Sequence, residues 1–255
     1  MVTLKSTAEL AAMREAGRVV ARTLQRVVEA AGPGVRLSRL DEVAADSIRE
    51  HGAKPSFLHY HPPFAPYPFP AVLCLSVNDV VVHGIPDGRA LRDGDILSVD
   101  CGAIVAGYHG DAAVTIPIGQ VDAEARRLID TTRAALDAGV AAAVAGARMG
   151  DLAHAVERVG RGAGYGILAD HTGHGIGQAM HEDPPVPNTG RPGRGLVLRE
   201  GLVLAIEPMF LEGGRDSYRL LPDGWSVATD DGSRAAHWEH TVAVTADGPA
   251  VLTVP

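Results

Sequence analysis

Two stretches of the chain repeat one another, and each closes on an acid: Leu91-Arg-Asp-Gly-Asp-Ile-Leu-Ser-Val-Asp100 and Leu198-Arg-Glu-Gly-Leu-Val-Leu-Ala-Ile-Glu207. Each reads as a turn, a strand, and then a carboxylate where the apolar spacing predicts another Val or Ile. Burying a carboxylate at the end of a strand is costly unless it is paired or bound to a cation. Two such strands related by repetition predict acids that converge on one shared site.

The repeat extends on both sides of these strands. Segments 7–31 and 123–145 carry apolar residues at helical spacing. Each is followed by a second helical segment, for which Ser38 and Asp151 are the expected N-caps. Glycines at His51-Gly52 and Val159-Gly160 mark the expected ends of these second helices. Strands are expected at 72–77, 95–100, 112–116, 202–207 and 239–245. The pattern predicts two α-α-β-β halves, about 1–120 and 121–255, offset by slightly more than 100 residues. No linker-like composition marks the junction, so the expectation is one α+β domain over 1–255 with internal pseudo-twofold symmetry and helices covering one side of the sheet.

With 255 residues and a net charge of −8, the chain lacks the basic footprint of an electrostatic nucleic-acid binder. No apolar run reaches the roughly 18 residues of a membrane span, and Met1–Lys5 has no signal-peptide core. Two cysteines, Cys74 and Cys101, are too few for a disulfide framework. The expected location is the cytoplasm. One segment breaks the repeat, Tyr60-His-Pro-Pro-Phe-Ala-Pro-Tyr-Pro-Phe-Pro70. Its five prolines forbid a regular helix or central strand. A rigid surface loop and a PxxP recognition segment both fit it.

Between Asp100 and Asp111, Gly102, Gly107 and Gly110 suit a hairpin that sets the two aspartates side by side. Carboxylates that close repel, and one takes up a proton unless a cation lies between them. The second half adds Glu207, Glu239 and the glycine-rich, imidazole-bearing turn His171-Thr-Gly-His-Gly-Ile-Gly177. Four carboxylates and a histidine make a hard, oxygen-rich site suited to two divalent ions, with Mn, Fe, Co and Zn all admissible.

These residues also carry a family resemblance. Asp100 and Asp111, His171–Gly177 with His181-Glu-Asp-Pro184, Ile206-Glu-Pro-Met209 and Trp238-Glu-His-Thr241 together resemble the methionine aminopeptidases, and Asn78-Asp-Val-Val-Val-His-Gly-Ile-Pro86 resembles the family's upstream histidine segment. The resemblance spans essentially the whole chain and is to the short, bacterial-style type I members. It implies the pita-bread fold, in which two pseudo-symmetric α-α-β halves put helices over a central curved antiparallel sheet. It also implies that Asp100 holds one metal, that Asp111 and Glu239 bridge both, and that His174 and Glu207 complete the other.

Further roles follow from the same resemblance. Glu207 would shuttle the proton, His181 would hydrogen-bond the scissile carbonyl, and His83 would lie near the amide nitrogen between the first and second substrate residues. Phe57, Tyr60, Phe69, Cys74, Met180 and Trp225 would line a methionine pocket, although for any of the aromatics core packing is an equal reading. Asn78 and Val80 match backbone ligands of a monovalent cation in the family. The chain departs from the usual pattern at Phe57, where a small residue is common, and in the insert 62–68 between Tyr60-His61 and Phe69-Pro70.

Nascent polypeptide N-termini with a small second residue are the implied substrates, which makes the ribosome a candidate partner. Neither direct nucleic-acid binding nor a membrane is implied, and a monomer is the default. Two other readings compete. An X-Pro peptidase would share the metal site but normally carries a large extra N-terminal domain, for which residues 1–5 leave no room. A non-catalytic ribosome- or RNA-binding relative would typically lack the ligand set.

Overall fold

The computed structural model describes residues 2–63, 65–168 and 170–255. Four helices, α1 (Thr7–Ala30), α2 (Leu37–Glu50), α3 (Ala123–Ala142) and α4 (Met149–Ala163), pack on a central antiparallel sheet. The order of strands across this sheet is 54–55, 96–105, 108–117, 239–245, 203–206, 173–175 and 182–186, with 73–77 also pairing to 96–105 and 248–251 to 239–245. The two halves of the chain therefore meet where Tyr108–Pro117 pairs with Glu239–Thr245. This is the pita-bread arrangement that the repeat implied. Among the described residues no helix is long and apolar enough to cross a membrane.

Strand alternation separates the two faces. On one face, Leu73, Leu75, Leu97, Val99 and Ala112 pack against Val20 and Leu24 of α1 and Leu40 and Ile48 of α2. In the second half Leu204, Ile206, Val242 and Val244 pack against Leu128 and Leu136 of α3 and Leu152 and Val156 of α4. Helices thus seal one face, and the intervening residues of the same strands point to the other.

The junction is symmetric in detail. The Thr241 hydroxyl donates to the Asp111 carbonyl and accepts from the Asp111 N–H, at 2.8 and 2.9 Å. The Thr115 hydroxyl does the same for His237, at 2.7 and 2.9 Å. Each half contributes one buried threonine that satisfies both backbone groups of a residue in the other half.

Several local expectations change. The hairpin strands are longer than the hydrophobic runs, Ile96–Val105 and Tyr108–Pro117, and the turn falls at Ala106-Gly107, both with positive φ. Gly102 and Gly110 lie within the strands. A Cβ on Gly110 would sit 2.8 Å from the Gly17 nitrogen of α1, so this glycine lets helix and strand approach. Ser38 and Asp151 are not N-caps. The caps are Arg36 and Arg148, neither with a side-chain cap hydrogen bond, each anchored by an isolated bridge to Ala90 and Val197. Asp151 instead reaches back from the first turn to accept from the Arg148 N–H at 2.8 Å.

α4 also runs past Val159-Gly160 to Ala163, where Gly164 takes the left-handed conformation (φ 86°). Gly160 is mid-helix because a Cβ there would lie 2.6 Å from the Phe210 ring.

Candidate metal centre

Register alone gathers the predicted ligands. Ala113 is flanked by Asp100 on one neighbouring strand and Glu239 on the other, so these three side chains share a face. Asp111 is two residues from Ala113 and joins them. On the far side Thr241 pairs with Ala205, and Ala205 pairs with His174. Glu207, two residues beyond Ala205, completes the row. This is the face the helices leave open.

The groups converge closely. Asp111, His174 and Glu239 offer ligand atoms all within 4.8 Å of one another, as do Glu207, His237 and Glu239. His174 Nε2 is 3.7 Å from Glu207 Oε1. Asp111 Oδ1, Glu239 Oε1 and Asp100 Oδ1 are buried with no hydrogen-bond partner among the described residues. Burial and mutual repulsion push Asp111 and Glu239 well above the usual carboxylate range. Asp100 rises to about 7, chiefly through burial. Burial would also raise Glu207, but the His237 imidazole 3.4 Å away, followed by those of His174 and His181, holds it below its ordinary value. Orphaned, repelling oxygens around one imidazole fit a divalent cation and little else.

His237 was not anticipated. Its Nε2 is buried without a hydrogen-bond partner among the described residues, 3.4 Å from Glu207 Oε2 and 4.0 Å from Glu239 Oε2. The strand pairing explains its place. It precedes Glu239 by two residues, and the paired threonines make it the counterpart of Asp111 across the pseudo-twofold axis.

A cavity of about 660 Å³ opens over the centre, and every predicted ligand, histidine and pocket residue lines it. Phe57, Phe69, Cys74, Met180 and Trp225 form one buried apolar cluster with Tyr60 packed against it. Phe69 meets Trp225 edge-on at 5.0 Å between ring centres. Cys74 faces the cavity because it pairs across the sheet with Asp100. Burial and the nearby carboxylates push its thiol well up, so it is a wall and not a nucleophile. His83, with a positive φ of 60°, is held down to about 4 by burial and by His171. Burial and His174 bring His181 to about 3. Both imidazoles are therefore neutral. His171, Met209 and Tyr218 also line the cavity and were not anticipated.

The insert leaves the pocket in place. The Phe69 N–H donates to the Tyr60 carbonyl at 2.8 Å and the His59 N–H to the Phe69 carbonyl at 2.9 Å, closing a neck below the loop. Beyond the neck the loop lies on the Trp225 turn, where Trp225 Nε1 donates to the Tyr67 carbonyl at 3.1 Å. Phe64 of this segment lies outside the described residues. Asn78, the expected backbone cation ligand, has positive φ, and its carbonyl accepts from the Ala235 N–H at 2.8 Å. Val80 pairs with Ala228.

Residues 11–246 match the profile of metallopeptidase family M24. Over its full length the chain is 50% identical to methionine aminopeptidase 1 of Mycobacterium tuberculosis, covering 96% of that protein. It is 47% identical to the methionine aminopeptidase of Clostridium acetobutylicum, covering 99%. The chain belongs to the methionine aminopeptidases of family M24. The crystal structure of the Thermotoga maritima methionine aminopeptidase superposes with a TM-score of 0.96 at 38% identity, each chain fully covered. A prolidase from Pyrococcus furiosus shares the fold at TM-score 0.78 and 21% identity, and the M24 chain covers 65% of it.

Proposed function

We propose that residues 1–255 act as one catalytic domain that hydrolyses the N-terminal methionine from nascent proteins, mainly when the second residue is small. The observation that carries this reading is the convergence of Asp100, Asp111, His174, Glu207 and Glu239 at the floor of a cavity with an apolar wall. Asp100, Asp111, His174, Glu207 and Glu239 would together hold two divalent ions (Co, Mn, Fe or Zn). When bound, such ions supply Lewis-acid polarisation and a more acidic water.

The chain's own residues do the rest. Glu207 takes the proton of the attacking water and passes it to the leaving amine nitrogen as the peptide bond breaks. His181, neutral, donates to the scissile carbonyl oxygen as charge develops there. His83 faces the amide nitrogen. Phe57, Tyr60, Phe69, Cys74, Met180 and Trp225 close around the methionine side chain and exclude water from it. A potassium- or sodium-like cation at the Asn78 and Val80 carbonyls, action as a monomer in the cytoplasm, and encounter with substrate at the ribosome belong to the same reading.

Cleavage of Met-Ala-Ser, Leu-Ala-Ser and Ala-Pro-Ala by metal-stripped protein, before and after adding Mn or Co, tests it. Metal-dependent release of methionine alone is expected. Preference for Ala-Pro-Ala would move the chain to the X-Pro peptidases, and failure to bind metal would overturn the catalytic reading.

A further inference from the structure

His174 and His181 stand side by side, with ring centres 4.1 Å apart, yet the partners of their Nδ1 atoms differ in kind. Nδ1 of His174 lies 2.8 Å from the Gly175 carbonyl oxygen. A carbonyl only accepts, so Nδ1 carries the hydrogen and Nε2 presents a lone pair toward Glu207. Nδ1 of His181 lies 2.8 Å from the Tyr60 hydroxyl. A phenol is a good donor and a poor acceptor, while an imidazole nitrogen accepts strongly. The O–H therefore donates, Nδ1 accepts, and the hydrogen of His181 resides on Nε2.

We infer that Tyr60 is a positioning residue whose hydroxyl holds His181 in the Nε2–H tautomer, opposite to that of His174. One ring is thereby kept as a donor and its neighbour as a lone-pair ligand. Without the hydroxyl, His181 would spend part of its time with a lone pair at Nε2 and no hydrogen there for a carbonyl.

Tyr60 is well held for this role. Its ring stacks on His181 at 5.2 Å and 28°. Its N–H donates to the Phe57 carbonyl at 2.8 Å, and its carbonyl accepts from Phe69 at 2.8 Å. The loop neck thus fixes the backbone of the residue that fixes the tautomer. This inference rests on the proposed contact between His181 and the scissile carbonyl for its kinetic consequence, but not for the tautomer itself.

Tyr60→Phe keeps the ring and removes only the hydroxyl. Long-range 1H–15N correlation spectra of histidine-labelled, full-length, zinc-loaded protein read the tautomer directly. In the wild type the His181 pattern should show a protonated Nε2 and a bare Nδ1. In Tyr60→Phe the two nitrogens should move toward averaged shifts, while His174 keeps its pattern. For methionyl peptides kcat should fall roughly twofold, because averaging the two tautomers leaves about half of the His181 population as the donor, with KM unchanged.

A hydrogen on Nδ1 of His181 in the wild type, or identical His181 patterns in the two proteins, would overturn the inference. So would a rise in KM with kcat intact. The spectra do not depend on turnover. A wild type that releases no methionine would overturn the proposed activity and leave the spectra to decide on Tyr60.

Discussion

At the scale of single residues, the molecule keeps repelling carboxylates buried together. Asp111 is pushed well above its ordinary range by burial and by Asp100 and Glu207, Glu239 by burial and by Asp111 and Glu207, and Asp100 to about 7 chiefly by burial. In the metal-free protein the folded state therefore binds these protons more tightly than the unfolded chain, so their contribution to stability is lost as pH rises above the ordinary carboxylate range, while His83 and His181, held down to about 4 and about 3, contribute the opposite sign. Metal-stripped wild type should therefore lose melting temperature relative to metal-stripped Asp111→Asn as pH rises from about 4 to about 7, and saturating Mn should reverse the difference. Removing one charge tests the same strain. Metal-free Asp111→Asn should melt no lower than the metal-free wild type, because a neutral amide relieves the repulsion. It should gain little from added Mn and lose hydrolysis altogether. Thermal melts with and without Mn, beside a methionine-release assay, report all three effects.

The acids were legible in the sequence because a carboxylate in an apolar run stands out. His237 was not, because a histidine two residues before Glu239 looks like any strand residue until the pairing shows what it faces.

At the scale of elements, alternation and pairing register do most of the positioning. Strands at 73–77, 203–206 and 239–245 followed the hydrophobic pattern closely. The central hairpin outran its pattern because Gly102, Gly107 and Gly110 interrupt the hydrophobic run at its far end and look like turn residues. Glycine was the recurrent source of misreading. Gly160 resembles a helix stop, but it is there to admit the Phe210 ring, and packing partners are invisible in a local window. The paired threonines were likewise illegible, since each acts on a strand more than 100 residues away. They carry weight. Thr241→Val preserves shape but leaves the buried N–H and carbonyl of Asp111 without their hydroxyl. It should cost about 1–3 kcal/mol in urea denaturation and weaken metal affinity through Asp111, whereas a surface Thr→Val would do neither.

At the scale of the whole molecule, neither half owns the centre. Asp100 and Asp111 come from the first half and His174, Glu207 and Glu239 from the second, so cations held among them would tie the halves together. Calorimetry of the metal-loaded protein should show one transition, not two. Its stability should rise by about 2.7 kcal/mol when free metal reaches a hundred times its dissociation constant. Two resolved transitions that respond differently to metal would mean that the halves melt independently. The duplicated architecture was plain from the repeat in the sequence; the manner in which the insert 62–68 is accommodated was not, because its proline content predicts a loop without saying where that loop is tied.

That tie has a consequence of its own. A segment whose two ends are already joined behaves as a bead on a closed ring, and residues added or removed beyond the join alter what the bead carries and not where the ring sits. A change of length or a chemical label between His61 and Pro68 thus bears on the Tyr67 contact with Trp225 and leaves the join that holds Tyr60 and Phe69 as it is.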